Sequence, residues 1–224
     1  LWMATLDNGL AAVFYAASEV TARVAGGTNV MISEETGYPF DGKIGISLRL
    51  EKPATFPLYL RIPDWCSKAR ITVNGAAVEG GTEPGRYAVI RRKWRNGDKV
   101  GLEFPMGIEV RTWEKMGGAV SVKRGPLWYS LKIDGRLNRY GGTDEWPALE
   151  LLPESPWNYG LVVDPGDPAA SITIAGLKPA ADQPFTPDNA PIVLKARARR
   201  VPGWKAEGKM AGDVPRSPAA SGSP

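Results

Sequence analysis

Paired carboxylates are the first residues of this sequence that could do chemistry, since two Asp or Glu side chains flanking a glycosidic bond can cleave it. Glu34 and Glu35 are adjacent, and neighbouring side chains of a strand point to opposite faces of a sheet. Asp41, Asp64 and Asp98 lie beside predicted turns, where an Asp stabilises local backbone geometry. No carboxylate is therefore predicted to be catalytic.

Histidine and cysteine usage restricts the chemistry further. The 224 residues contain no histidine, which excludes Ser-His-Asp and Cys-His catalysis and every His-ligated metal site within them. Cys66 is the single cysteine, so neither an internal disulfide nor a cysteine-rich zinc site can form. A lone cysteine is commonly a small buried apolar residue, and we predict that role for Cys66. No catalytic, metal or cofactor-binding residue is predicted.

Two basic clusters suggest nucleic-acid binding, in which cations contact phosphates and aromatic rings stack on bases. The first is Arg91, Arg92, Lys93 and Arg95 around Trp94, and the second is Lys195, Arg197 and Arg199, predicted to share a strand face opposite Ile192, Leu194, Ala196 and Ala198. An alternating basic face is equally typical of a solvated or edge strand. Because the net charge is only +4, we predict no nucleic-acid partner.

Aromatic residues concentrated in the second half could form a platform for sugars, on which a flat ring stacks. They are Trp113, Trp128, Tyr129, Tyr140, Trp146, Trp157, Tyr159 and Trp204. Filling a core is the competing use of such rings, and Trp128, between Leu127 and Tyr129, is predicted to be a core residue. Trp146 and Trp157 adjoin prolines in loop-like stretches, which makes them the candidates for substrate binding.

The elements that must position these residues are β-strands. Apolar and polar residues alternate in segments 44–50, 58–62, 69–73 and 99–104, as in a strand with one buried face. Glycine (26) and proline (20) are abundant, and turn signals such as Asn74-Gly75 separate the segments. The sequence predicts an all-β protein of two consecutive antiparallel β-sandwiches. No segment is long and apolar enough to span a membrane.

The predicted organisation places one β-sandwich in residues 1–112 and a second, incomplete one in residues 113–224. Strands of the second half are predicted at 120–122, 127–133, 149–152, 161–163, 172–174 and 192–199. The stretches 134–147 and 178–191 are predicted as loops because they are rich in Gly, Pro, Asp and Asn. The chain becomes small and polar from Gly203, which indicates a tail from about residue 205 or a connector to a further strand.

Seven short segments, in this order, resemble the C-terminal half of glycoside hydrolase family 127, the β-L-arabinofuranosidase type. They are LWMATLDNGLAAVFY (1–15), ETGYPF (35–40), LRIPDWC (60–66), VNG (73–75), WRNGD (94–98), FPM (104–106) and KRGPLWY (123–129). The resemblance is good to about residue 133 and thinner afterwards. We expect a C-terminal β-sandwich region of that family, truncated at both ends, with residues 214–218 leading into a final strand.

The resemblance implies a parent enzyme in which an (α/α)6 barrel carries catalysis and two β-sandwiches follow it. In that family a cysteine thiolate is the nucleophile within a zinc site of cysteines and a glutamate, and another glutamate is the acid/base. The catalytic Cys-Cys pair lies upstream of the position matching Leu1, whereas Cys66 matches a cysteine of the sandwich. No catalytic or metal role therefore passes to Cys66, and zinc is expected only in the barrel.

We therefore expect a non-catalytic part of a retaining hydrolase that acts on β-L-arabinofuranosides or related plant-derived sugars. Its partner would be its own upstream barrel, supported by the first sandwich, with homodimerisation through the second sandwich as a further option. A stand-alone carbohydrate-binding module is the alternative. The first hypothesis predicts an apolar patch on the first sandwich. It leaves open whether the protein is cytoplasmic, periplasmic or secreted.

Overall fold

The fold is described here from a computed structural model that covers residues 1–186, 188–208 and 210–219. Strands dominate this part of the chain, and its helices are two short 3-10 turns. The prediction of an all-β protein is confirmed. The chain forms two compact units, with the main division between Gly107 and Ile108, and the predicted boundary at residue 112 lies within the first strand of the second unit.

The first unit comprises Leu1–Gly107 and Gly125–Leu127. Its strands are β1 (Trp2–Ala4), β2 (Leu10–Ala12), β3 (Ser18–Val24), β4 (Thr28–Thr36), β5 (Lys43–Leu50), β6 (Ala54–Arg61), β7 (Arg70–Val73), β8 (Ala76–Ala77), β9 (Tyr87–Trp94) and β10 (Lys99–Glu103). One sheet has the order β1-β2-β6-β9, and the other has the order β3-β4-β5-β10-β7-β8.

A single apolar core joins these two sheets into a β-sandwich. Every second residue of β5 from Ile44 to Leu50 is buried, while the residues between them are more exposed, so the predicted two-residue period is confirmed. Trp94 is completely buried, and its Nε1 donates a hydrogen bond to the Phe56 carbonyl oxygen at 3.0 Å. The one polar atom of this large side chain is thus satisfied inside the core.

The predicted turn at Asn74-Gly75 is confirmed, and a second turn makes a different kind of connection. Asn74 and Gly75 have φ of 51° and 83°, as a tight hairpin requires, and they join β7 to β8. The segment 95–98 also turns, with Gly97 at φ 83°. It joins β9 to β10, which belong to different sheets, so this turn carries the chain across the sandwich.

One strand pair departs from the predicted antiparallel arrangement. β2 runs parallel to β6, with Leu10 opposite Leu58. Gly9 stands just before β2, and a Cβ there would fall within contact distance of the Pro57 carbonyl oxygen and ring. The absence of a side chain at Gly9 is what permits this close approach.

The second unit comprises Ile108–Arg124 and the described residues from Trp128 onward. Its strands are β11 (Ile108–Trp113), β12 (Ala119–Arg124), β13 (Leu127–Tyr129), β14 (Gly135–Gly142), β15 (Pro147–Pro153), β16 (Tyr159–Leu161), β17 (Ile172–Leu177), β18 (Ile192–Ala196), β19 (Ala198–Arg200), β20 (Ala206–Glu207) and β21 (Met210–Ala211). The 3-10 helices are Glu114–Met116 and Pro168–Ser171.

Small antiparallel sheets make up this second unit. The strands β11, β12 and β13 form one sheet, and four pairs form the others: β14-β15, β16-β19, β17-β18 and β20-β21. Among its described residues the large buried apolar side chains are Ile172, Ile192 and Val201. This core is far smaller than that of the first unit, and the second, incomplete β-sandwich stays a prediction.

Two predicted features of the second unit are wrong. Residues 134–147 were expected to form a loop, yet Gly135–Gly142 is a strand paired with β15. Its residues are nearly all exposed, so no hydrophobic period marks it in the sequence, and backbone pairing defines it. Residues 192–199 were expected to form one strand, but the chain breaks at Arg197 because β18 pairs with β17 and β19 pairs with β16.

The C-terminal stretch also differs from a flexible tail. Ala206–Glu207 pairs with Met210–Ala211, and the Ser217 amide donates to the Gly117 carbonyl oxygen at 2.5 Å. Pro187, Lys209 and residues 220–224 lie outside the described residues, as does the part of the predicted tail that falls on them. No helix among the described residues is long and apolar enough to cross a membrane.

Candidate functional site

The adjacent glutamates lie as predicted, on opposite faces of β4. Glu35 is exposed, whereas Glu34 is only 2% exposed. The Ala16 amide donates to Glu34 Oε1 at 3.0 Å, while Oε2 is buried without a hydrogen-bond partner. Burial raises the pKa of Glu34 to about 7, although the Ala16 amide and the Trp2 indole favour the charged form. Among the described residues, the groups that act on Glu34 are backbone and indole N–H donors and the chain's N-terminus, whereas a glycosidase site needs a second carboxylate.

The three aspartates lie at turns of the backbone. Asp41 Oδ1 accepts a hydrogen bond from the Lys43 amide at 3.1 Å, and Asp98 Oδ2 accepts one from the Arg95 amide at 2.9 Å. The predicted role as turn stabilisers is confirmed for both. Asp64 is exposed at a turn.

The described residues do not fit the zinc site that the family resemblance implies for the parent enzyme. They contain no group of three His, Cys, Asp or Glu side chains placed to hold a metal ion. Cys66 is 1% exposed, as predicted, and belongs to the apolar core. Burial raises the pKa of its thiol, which disfavours the reactive thiolate.

The basic clusters do not form the surfaces that nucleic-acid binding would need. Trp94 lies inside the core, and Arg92 covers its ring at 5.2 Å. Arg91 Nη2 lies 2.8 Å from an Asp7 carboxylate oxygen on the opposite side of the strand. Lys195 belongs to β18 and Arg199 to β19, so the predicted basic strand face is divided between two sheets.

The aromatic residues of the second unit are dispersed. Trp128 was predicted to be in the core, but it is 52% exposed, because three-residue β13 lies at the edge of a small sheet. Trp146 is 76% exposed in the turn between β14 and β15, where the Thr143 amide donates to its carbonyl oxygen. Trp157 packs edge-to-face against Trp204, with ring centroids 5.1 Å apart. The candidates Trp146 and Trp157 therefore belong to separate environments.

The outer face of the four-stranded sheet is the feature that sequence reasoning located only in general terms. Met3, Ala11, Tyr59 and Val89 form a row across β1, β2, β6 and β9, and we call this row the outer face. Met3 is 60% and Val89 is 50% exposed, whereas Tyr59 is half-buried and Ala11 is buried. Apolar side chains on a solvent-facing strand surface are typical of an interface with another protein segment. The alternation in β9, with apolar Val89 at an outward position, was the available signal.

Further exposed apolar residues belong to the strands of this sheet or lie close to them in sequence. They are Leu1, Leu6, Phe14 and Tyr87. Polar contacts border the outer face, since Asp7 accepts hydrogen bonds from the Tyr59 hydroxyl at 2.9 Å and from Arg91 at 2.8 Å. Hydrogen bonds from Thr5, Tyr59 and Arg91 lower the pKa of Asp7, which keeps this border charged. An apolar centre with a polar border is the usual composition of a protein interface.

Comparison with known proteins identifies the family of the first unit. Residues 9–106 match the family model described as the GH127 middle domain of β-L-arabinofuranosidase. Residues 9–106 are thus similar to the GH127 middle domain. The matched residues include β2, β6 and β9 of the outer face and the whole six-stranded sheet. The resemblance found in the sequence is thereby confirmed. No curated protein sequence matches the chain.

Solved structures agree with this GH127 assignment. The GH127 β-L-arabinofuranosidase Ara127N-Se of Geobacillus stearothermophilus T6 is 25% identical over 68% of this chain and 31% of its own, with a TM-score of 0.52. A protein described as a glycoside hydrolase is 26% identical over 71% and 31%, with a TM-score of 0.51. A GH127 β-arabinofuranosidase at 21% identity and TM-score 0.50, over 72% and 30%, shares the fold. The chain thus covers about a third of the length of each.

Proposed function

We propose that this chain is the non-catalytic β-scaffold of a GH127 enzyme that acts on β-L-arabinofuranosides or related plant-derived sugars. Its outer face would seat the remainder of that enzyme, including the (α/α)6 barrel that carries catalysis. The observation that carries the proposal is the row across β1, β2, β6 and β9, in which the apolar side chains of Met3 and Val89 are exposed.

The protein surface that would cover the outer face must match both its apolar row and its polar border. Covering exposed apolar side chains stabilises the contact by roughly 25 cal/mol per Å² removed from water. The matched GH127 structures are about three times the length that this chain covers, so they contain further protein that can supply such a surface. Asp7 and Arg91 at the border would limit the contact to a partner with polar groups at matching positions.

The carboxylates and the cysteine support a non-catalytic role. Glu34 is buried with a backbone amide on its carboxylate, and Cys66 is a core residue whose thiol has a raised pKa. In the proposal the nucleophilic cysteine, the zinc ligands and the acid/base glutamate all belong to the barrel. The first unit would stabilise and orient that barrel.

Activity measurements test the proposal. The chain and the complete product of its gene are assayed on 4-nitrophenyl β-L-arabinofuranoside, each with and without Val89→Asp. We expect no turnover by the chain, and we expect Val89→Asp to lower the activity of the complete product because a charge would stand in the buried contact. Val193→Asp is the matched control, since Val193 is 46% exposed in the second unit.

Two results would contradict the proposal. One is turnover by this chain alone. The other is equal activity of the Val89→Asp and Val193→Asp forms of the complete product. Homodimerisation through the second unit stays a separate prediction, which sedimentation velocity of the chain tests by its molar mass at increasing concentration.

A further inference from the structure

We propose that an open cleft in the second unit binds a saccharide that carries a carboxylate group. The cleft has a volume of about 320 Å³ and lies between the segment that follows β15 and the turn that follows β19. Trp157 and Trp204 line it together with Arg200, Lys205 and Glu154. This binding site is independent of the scaffold role proposed for the first unit.

Two tryptophans form a corner at this cleft. Their ring planes meet at 77° and their centroids lie 5.1 Å apart. Both side chains are partly exposed, so ring surface is available to a ligand. An indole offers a large flat apolar surface and few rotatable bonds, and such a surface suits the C–H face of a sugar ring.

Hydrogen bonds hold the corner in place. Trp204 Nε1 donates to the Gly212 carbonyl oxygen at 2.9 Å. Asn158 Nδ2 donates to the carbonyl oxygens of Val201 and Trp204, both at 3.1 Å, and the Val201 amide donates back to the Asn158 carbonyl oxygen at 2.8 Å. A wall fixed in this way loses little conformational freedom when a ligand binds.

The charged residues of the cleft favour an acidic sugar. Glu154 Oε1 lies 3.4 Å from Arg136 Nε, so its charge is partly balanced. The ion pairs of the described residues include neither Arg200 nor Lys205. The cleft therefore has an excess of positive charge, and guanidinium and ammonium groups bind carboxylates with charge-assisted hydrogen bonds.

Glu154 also favours a saccharide over single-stranded nucleic acid as the ligand. Sites for single-stranded nucleic acid likewise combine cations with aromatic rings. A carboxylate accepts hydrogen bonds from sugar hydroxyls, whereas it repels a phosphodiester chain. The cleft is too small for a run of stacked bases and suits one or two sugar rings. An oligosaccharide with uronic acid units is thus the ligand class that fits.

Isothermal titration calorimetry of the whole chain with trigalacturonate tests the site. Neutral arabinotriose and a short oligothymidylate are titrated in parallel. We expect trigalacturonate to bind with an affinity that falls as salt is added. We expect Trp157→Ala to lower this affinity about tenfold or more, since stacking on one ring supplies much of the binding. The control Trp146→Ala removes an equally large ring outside the cleft and should leave the affinity unchanged.

Lys205→Gln keeps the test decisive if Trp157→Ala perturbs the fold, because Lys205 is exposed and its replacement removes only a charge. It should weaken trigalacturonate binding and its salt dependence while the circular dichroism spectrum is unchanged. Four outcomes overturn the proposal. They are no heat with trigalacturonate, equal losses in Trp157→Ala and Trp146→Ala, arabinotriose binding as tightly as the acid, and the oligothymidylate binding more tightly than either sugar.

Discussion

Asn74 Nδ2 donates a hydrogen bond to Asp98 Oδ1 at 2.9 Å, and this contact links the β7–β8 turn to the β9–β10 turn. Asn74 Oδ1 in return accepts from the Lys99 amide at 2.8 Å, and Asp98 Oδ2 accepts from the Arg95 amide at 2.9 Å. Burial opposes ionisation of Asp98, but these donors and the nearby Arg92 outweigh it and lower its pKa. The Asp98 carboxylate thus holds these two turns of the first unit together.

Removing this carboxylate should destabilise the first unit. Asp98 is 7% exposed, so Asp98→Ala leaves buried donors unpaired and should lower the free energy of unfolding by about 1–3 kcal/mol. Urea unfolding followed by tryptophan fluorescence measures the change. Asp144→Ala is the control, because the Asp144 side chain is 99% exposed in its pair with Arg139 and should cost under about 0.5 kcal/mol. Equal losses in the two variants would show that Asp98 is not structural.

Glu34 should make the protein less stable as the pH rises. Its pKa is about 7 in the folded chain against an ordinary value of 4.5, so the folded form holds a proton that the unfolded form has released between these values. The free energy of unfolding therefore falls from about pH 4.5 to pH 7 and then levels off, by up to about 3 kcal/mol in total.

Glu34→Gln isolates this effect. The substitution removes the titrating group, so the difference in unfolding free energy between pH 5 and pH 8 should shrink markedly. Glu35→Gln is the matched control, because Glu35 is the exposed neighbour on the opposite face of β4, and it should retain the full difference. An unchanged pH dependence in Glu34→Gln would mean that Glu34 is ionised in the fold.

Gly9→Ala should disturb the parallel pair of β2 and β6. A methyl group at this position would collide with the Pro57 carbonyl oxygen and ring, so we expect a loss of about 1–3 kcal/mol in unfolding free energy. Gly107→Ala has open space around the added methyl group and should be nearly neutral. Thermal unfolding of both variants distinguishes them, and a neutral Gly9→Ala would contradict the close approach of the two strands.

The two-residue alternation of apolar and polar residues, together with turn-forming residues, predicts most of the first unit. The alternation in β5 and the Asn74-Gly75 hairpin depend on neighbouring residues only, so the sequence displays them directly. Pairing across the sandwich is different, because the parallel contact of β2 with β6 joins segments that are far apart along the chain. The second unit has little core, so strand β14 carries no apolar period and looks like a loop.

The candidate site residues also divide into those that local sequence predicts and those that depend on contacts between distant segments. The burial of Cys66 and the opposite faces of Glu34 and Glu35 follow from local pattern and were predicted. The exposure of Trp128 was not, because it depends on which strands cover β13. The pairing of Trp157 with Trp204 also joins distant segments, and neither residue alone indicates it.

Chemical labelling of a cysteine at position 89 tests the central claim most directly. Val89→Cys places a thiol on the outer face, and native Cys66 is too buried to react. Alkylation at position 89, read by peptide mass spectrometry, should be fast in this chain and at least about tenfold slower in the complete gene product, where the outer face would be covered. Val193→Cys should react equally fast in both. Equal labelling of position 89 in the two proteins would contradict the scaffold role.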